Sequence, residues 1–237
     1  MRLPNTAHTS RSWRIHQLTR DFRLEDVWAL PTPGGPGDLP RLVEWLASRD
    51  DPARASASPV ARALWTIRWK AGQLLGWDSP DAGLGSRVPT LRDRFPADLR
   101  AAPSGPRFRA LPFTSLYLLH DEWAAEIANR TVHAVMHIGW VPDRTGGYRG
   151  QMAVLVKPNG LPGTAYMAAI RPFRRLIVYP MLTRETGRAW RALDANPHTS
   201  AHDPQIAGAR PSPLPAAAGL RFPSVRQDRR YGDGADE

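Results

Sequence analysis

The chain has 237 residues, 42% of them hydrophobic and 23% charged, which suits one core of about 150 to 200 residues and excludes wholesale disorder and a membrane-embedded protein. Cysteine is absent, so disulfides, thiolate zinc sites, iron–sulfur clusters and a cysteine nucleophile are excluded together. The formal net charge of +10 divides as +4 over residues 1–104, +7 over 105–193 and −1 over 194–237, and every basic residue except Lys70 and Lys157 is Arg, a bias that GC-rich codon usage produces without a nucleic-acid partner.

In chain order, residues 12–18 alternate Trp13 and Ile15 with Arg14 and His16 and read as a first strand, and residues 22–30 read as a short helix. Pro31, Pro33, Gly34, Gly35, Pro36 and Gly37 break the chain. Asp38 is placed to cap a helix over LPRLVEWLASR. Ser58 followed by Pro59 starts a second helix, which carries Val60, Leu64, Ile67, Ala71 and Leu74 on one stripe and stops at Gly76. Residues 77–112 read as a long connection, a lid or a flexible segment, with one helical turn near Thr90 to Arg94.

FTSLYLL at 113–119 reads as a strand, and Asp121 as the cap of a short helix EWAAEIA that stops at Asn129. RTVHAVMHIGWV alternates Val132, Ala134, Met136, Ile138 and Trp140 with His133, Val135 and His137. Through the turn VPDRTGG it forms a hairpin with YRGQMAVLVKP. Residues 161–193 read as a helix with Tyr166, Ile170, Phe173 and Ile177 on one stripe, kinked or divided by Pro172 and Pro180. From Asp194 the chain is rich in Pro, Ala, Gly and Ser and reads as a disordered tail, 194–237. The N-terminus lacks the apolar block of about 7 to 15 residues of a secretory signal, and no stretch approaches the roughly 20 apolar residues of a membrane span. The expected location is the cytoplasm.

The run from Trp123 through Glu126, Asn129-Arg130-Thr131-Val132-His133, Gly139-Trp140-Val141, Gly147-Tyr148 and Met152 to Pro158 resembles an uncharacterised bacterial family, a domain of unknown function. The resemblance continues through Gly160, Gly163, Tyr166, Pro172-Phe173-Arg174 and Leu176 to Pro180. It covers residues 11–193 and is weakest over 77–112. The module also resembles the segment appended to some short-chain dehydrogenase-type proteins. The resemblance implies the START-like, or SRPBCC, helix-grip superfamily: α+β, an antiparallel sheet packed against a long C-terminal helix around an apolar cavity, here with N-terminal helices. It brings no catalytic motif, and the chain has no dinucleotide-binding glycine fingerprint.

His133 and His137 share a strand face about 13 Å apart, too far for one zinc ion, and His198 and His202-Asp203 fall in the tail. Gly34–Asp38 and Gly83–Arg87 do not complete a phosphate loop, and no GxSxG elbow is present. No cofactor or metal is therefore expected. Of the carboxylates, Asp121 reads as a cap, Glu126 as the partner of Arg130 four residues on or as a solvated group, and Asp143 as a turn residue.

Arg171, Arg174, Arg175, Arg184, Arg188 and Arg191 make the late helix basic: a solvated face, a clamp for the anionic head of an amphiphile, or a contact for anionic lipid headgroups. The residues expected to line a cavity are Tyr117, Trp140, Tyr148, Met152, Tyr166, Ile170 and Phe173, with Arg171 and Arg174 at its polar end. The leading expectation is a binding module for an apolar or amphiphilic small molecule rather than an enzyme. The alternatives are a cyclase- or dehydratase-like enzyme on a polyketide-like substrate, with Tyr or His as proton donor, and a peripheral membrane-surface module acting through the arginine-rich helix.

Overall fold

Two long strands that pair along their whole length hold the fold together: β5 (Val132–Pro142) and β6 (Tyr148–Pro158) run antiparallel in a register from Val132 opposite Pro158 to Pro142 opposite Tyr148. The turn between them closes because Asp143 Oδ1 accepts hydrogen bonds from the backbone N–H groups of Thr145 (2.8 Å) and Gly147 (3.2 Å), while Gly146 takes φ +87°, a conformation that favours glycine. In this computed structural model, which describes residues 1–49, 84 and 88–195, β1 (Arg2–Leu3), β2 (Arg23–Ala29), β3 (Thr114–Leu118) and β4 (Glu122–Ala128) complete one open antiparallel sheet of six strands. Its order is β1-β2-β6-β5-β4-β3, and the described residues all fall within the unit Met1–Pro197.

Both faces of the sheet are covered, because successive side chains of the central strands point to opposite sides. One face carries Val27, Ala124, Val135, Ala153 and Leu155. It is roofed by Trp13, Ile15 and Leu18 of the N-terminal segment and by Leu91, Phe95 and Leu99. The roofing elements are α2 (Ile15–Leu18), a 3₁₀ turn (Leu91–Arg94) and α4 (Ala97–Ala101); α1 (Thr6–Thr9) precedes them. The other face carries Trp28, Trp123, Ala125, Ile138, Trp140 and Met152 beneath α3 (Leu39–Ser48) and the late helix, which contributes Tyr179 and Trp190. The Pro/Gly segment after β2 is held by indole donors: Trp140 Nε1 donates to Gly35 O and Trp190 Nε1 to Pro33 O, each at 2.8 Å.

The class is α+β, as expected, with the predicted α3, β3, β5, β6 and 3₁₀ turn in place, but three elements differ from the sequence reading. Residues 15–18 form helix α2 rather than a strand, because Trp13, Ile15 and Leu18 pack on the sheet instead of pairing with it. Residues 23–29 form β2 rather than a helix. A bulge shifts its register between Leu24 and Asp26, which interrupts the period-two alternation and turns Glu25 and Asp26 toward the late helix. EWAAEIA forms β4 rather than a capped helix; its alanine content favours helix, but pairing on both sides outweighs propensity. Of the four strands read from the sequence, three are present, as β3, β5 and β6, in a sheet of six. The predicted helix over 59–75 and the tail from 196 onward lie outside the described residues.

The late arm comprises α5 (Gly160–Phe173), a π-turn (Arg174–Val178) and α6 (Tyr179–Ala195). The wide turn lies between Pro172 and Pro180, where missing N–H donors disturb the regular ladder. A Cβ at Gly163 would overlap the carbonyl oxygen of Thr131, so glycine lets α5 approach the β4–β5 turn.

Candidate functional site

A cluster of buried polar side chains lies between β4, β5 and the N-terminal segment. Glu122 on β4 pairs with Gly139 in the strand register, so His137 stands diagonally across from it, and Glu126 stands in the same relation to His133. His137 Nε2 is 2.9 Å from Glu122 Oε2, and His133 Nε2 is 2.7 Å from Glu126 Oε2. All four side chains are buried. The two rungs repeat one motif, Glu-x-x-x-Glu on β4 against His-x-x-x-His on β5.

Each carboxylate also receives the start of a helical turn lying on the sheet. Glu122 accepts the N–H of Arg14 at 2.6 Å and of Ile15 at 3.5 Å, at the entry to α2. Glu126 accepts the N–H of Leu91 at 3.1 Å and the hydroxyl of Thr90, at the entry to the 3₁₀ turn. A carboxylate from the sheet thus satisfies donors that a helix start leaves free. The reading of Glu126 as partner of Arg130 is corrected: Arg130 lies in the turn beyond the end of β4, and the partner of Glu126 is His133 of β5.

The Glu122 rung extends outward. Tyr117 donates its hydroxyl to Glu122 Oε2 at 3.0 Å; His137 Nδ1 lies 3.1 Å from His8 Nε2, and His8 Nδ1 lies 3.1 Å from His16 Nε2. Five side chains form a continuous chain from half-buried His16 to fully buried Tyr117. Burial, with His137 and His16 beside it, pushes the His8 pKa down to about 2, so His8 is neutral at neutral pH. Burial likewise lowers His16. Burial alone would raise Glu122, but the hydrogen bond and charge of His137, the Arg14 N–H and the Tyr117 hydroxyl outweigh it and hold the carboxyl below its ordinary value. Burial, then the Glu122 charge, keeps Tyr117 a phenol.

With Glu122 ionised and His137 donating to it, the donors line up in one sense: His16 Nε2–H to His8, His8 Nε2–H to His137, His137 Nε2–H to Glu122. In that alignment His8 and His137 each accept at Nδ1 and donate at Nε2, the geometry of a proton relay running from His16 by two hops toward His137. Among the described residues, no group of three or more His, Asp or Glu side chains is arranged to hold a metal ion.

A second polar cluster joins β2 to the late arm. Glu25 Oε2 lies 3.3 Å from Arg171 and 3.2 Å from Arg174, and buried Asp26 lies 2.8 Å from Arg175 Nε and 3.5 Å from Arg174 and Arg2. The bulge on one side and the π-turn on the other bring these charges together.

An open cleft of about 330 Å³ lies beside this cluster, lined by Met1, Trp28, Pro31, Pro180, Thr183 and Arg184. The residues expected to line a cavity are distributed otherwise. Tyr117 is on the opposite sheet face, bonded to Glu122; Trp140 and Met152 are buried in the core under α3 and α6. Tyr148 is half-buried where its backbone meets Gly34, and Ile170 is half-buried on α5. Arg171 and Arg174 face Glu25. Tyr166 and Phe173 belong to α5, and their side chains lie outside the described set. Sequence reasoning missed His8, His16 and Glu122 as partners. The signal present was the four-residue spacing of Glu122 and Glu126 matched by that of His133 and His137.

No curated relative and no solved structure matches the chain. Residues 18–181 match the family described as protein of unknown function (DUF2867), and because the match spans well over half of the sequence, the chain belongs to that family.

Proposed function

We propose that the chain is a binding module for an amphiphilic carboxylic acid, held in the cleft between β2 and α6. The observation that carries this reading is the cleft's lining: Met1, Trp28, Pro31 and Pro180 supply apolar surface, and Thr183 and Arg184 supply a hydroxyl and a cation at one side. Its volume of about 330 Å³ is at the lower end of small-molecule sites. Trp28 adds a buried indole N–H with no hydrogen-bond partner among the described residues. The helix-grip assignment belongs to the same proposal. A six-stranded antiparallel sheet with a helical arm against one face supports it, one strand short of the seven usual in that fold.

The cyclase-like alternative would need a proton-transferring side chain at the cleft. Thr183 and Arg184 are its polar side chains, and neither exchanges a proton readily near neutral pH. Titration calorimetry with decanoate tests it, with decyltrimethylammonium as the cation of matched chain length. Saturable decanoate binding that Thr183→Trp abolishes and Arg184→Glu weakens by about tenfold is expected. Equal affinity for the cation, or indifference to both substitutions in folded protein, overturns the proposal.

A further inference from the structure

The exposed side of the late arm is unlike the rest of the surface. Leu161 on α5 and Leu176 in the π-turn are 86% and 76% exposed, the only large hydrophobic side chains besides Met1 so exposed among the described residues. Between them Ala165, Ala168 and Pro172 are also exposed, at helical spacing from Leu161. On α6, Arg184, Arg188 and Arg191 are exposed at i, i+4 and i+7, and none makes an ion pair among the described residues. The acids of α6 are already taken: Glu185 pairs with Arg49 at 2.8 Å and Asp194 with Arg41 at 2.8 Å. Arg171, Arg174 and Arg175 are held by Glu25 and Asp26. Among the described residues the arm therefore carries apolar side chains along α5 and the π-turn and, after them, an arginine row without ion-pair partners.

We infer that this face of α5, the π-turn and α6 docks on an anionic membrane surface, the arginines on lipid phosphates and Leu161 and Leu176 in the headgroup–acyl boundary. Charge complementarity selects an anionic partner, since three guanidiniums on one stripe, without ion-pair partners among the described residues, bind phosphate oxygens well. The exposed leucines select a lipid surface over nucleic acid, because a phosphodiester backbone offers no apolar layer to receive them. No described helix is long and apolar enough to cross a membrane, so the contact is with the surface. The inference does not require the cleft: Arg184 is shared with it, but Arg188, Arg191, Leu161 and Leu176 do not line it.

The full chain is tested by co-sedimentation with phosphatidylcholine–phosphatidylglycerol vesicles against phosphatidylcholine alone. Binding is expected to require the anionic lipid, to weaken with salt, and to fall by roughly 30-fold in Arg188→Gln/Arg191→Gln at about tenfold or less per basic residue. Because the chain lacks cysteine, a bimane label on Leu176→Cys reports insertion. Its emission should shift to the blue on anionic vesicles, and a label on Ala101→Cys, on exposed α4 across the sheet, should not. The inference is overturned by absence of binding at low salt, by binding that the double variant leaves unchanged, or by duplex DNA displacing the protein from vesicles. Loss of decanoate binding with vesicle binding intact would count against the cleft alone.

Discussion

Glu122 and His137 meet at 2.9 Å diagonally across β4 and β5, and the carboxylate of that pair is also the acceptor for the first N–H groups of α2. One buried side chain thereby joins the sheet to the segment that roofs it. Removing it strands three kinds of donor at once, an imidazole, a phenol and backbone amides. Glu122→Ala is expected to lower unfolding stability by about 3 kcal/mol and Glu122→Gln by about half as much, since the amide oxygen still accepts. Urea unfolding checks this; a loss below about 1 kcal/mol for Glu122→Ala would show that the pair contributes no more than a surface contact.

The pH dependence follows from His8. Its folded pKa is about 2 against an ordinary 6.5, so below pH 6.5 the unfolded chain binds a proton that the folded chain does not. Stability from this group is complete above pH 6.5 and falls on acidification, with a limiting slope of about 1.4 kcal/mol per pH unit. Glu122, also lowered, adds a loss that begins only in the carboxylate range. Urea midpoints measured from pH 8 to 5 should therefore decline in the native chain, and His8→Gln should flatten the decline. Parallel curves for the two proteins would refute the assignment.

The donor direction of the histidine chain can be read by nitrogen NMR of the imidazoles. At pH 8 His16, His8 and His137 are each expected to carry the proton on Nε2, and His8 should stay neutral on acidification. An Nδ1–H tautomer of His8 at pH 8, or an imidazolium at His8, contradicts the proposed order of hops.

Asp26 has no solvent exposure and faces Arg2, Arg174 and Arg175. Asp26→Asn removes the charge that balances these guanidiniums and leaves Glu25 as their nearby carboxylate. Hydrogen exchange should accelerate across Arg171 to Tyr179, corresponding to about 3 kcal/mol of local stability, with α3 unchanged. Uniform acceleration of the whole sheet would mean that the cluster supports the core rather than the arm.

The legible parts of the candidate site were those whose local pattern agrees with their final environment. Val132 to Trp140 alternates strictly because one strand separates two different faces, so the shared side of His133 and His137 was readable, and so was their separation. EWAAEIA carries an equally regular alternation, Glu122, Ala124 and Glu126 against Trp123, Ala125 and Ile127, but its alanines also suit a helix. Short segments of that kind take the structure their neighbours impose.

By itself the sequence determined helix α3, strand β3, the β5–β6 hairpin and a helical, arginine-rich late arm interrupted between Pro172 and Pro180, because each depends on periodicity and turn chemistry within a few residues. Tertiary structure alone decided that residues 23–29 and 122–128 are strands, that Glu122 meets His137 and His8, and that Arg174 and Arg175 turn to Asp26. These outcomes depend on side chains from distant segments. A buried carboxylate or imidazole is stable only where those segments supply the missing hydrogen bonds, and no local pattern states which segments they will be.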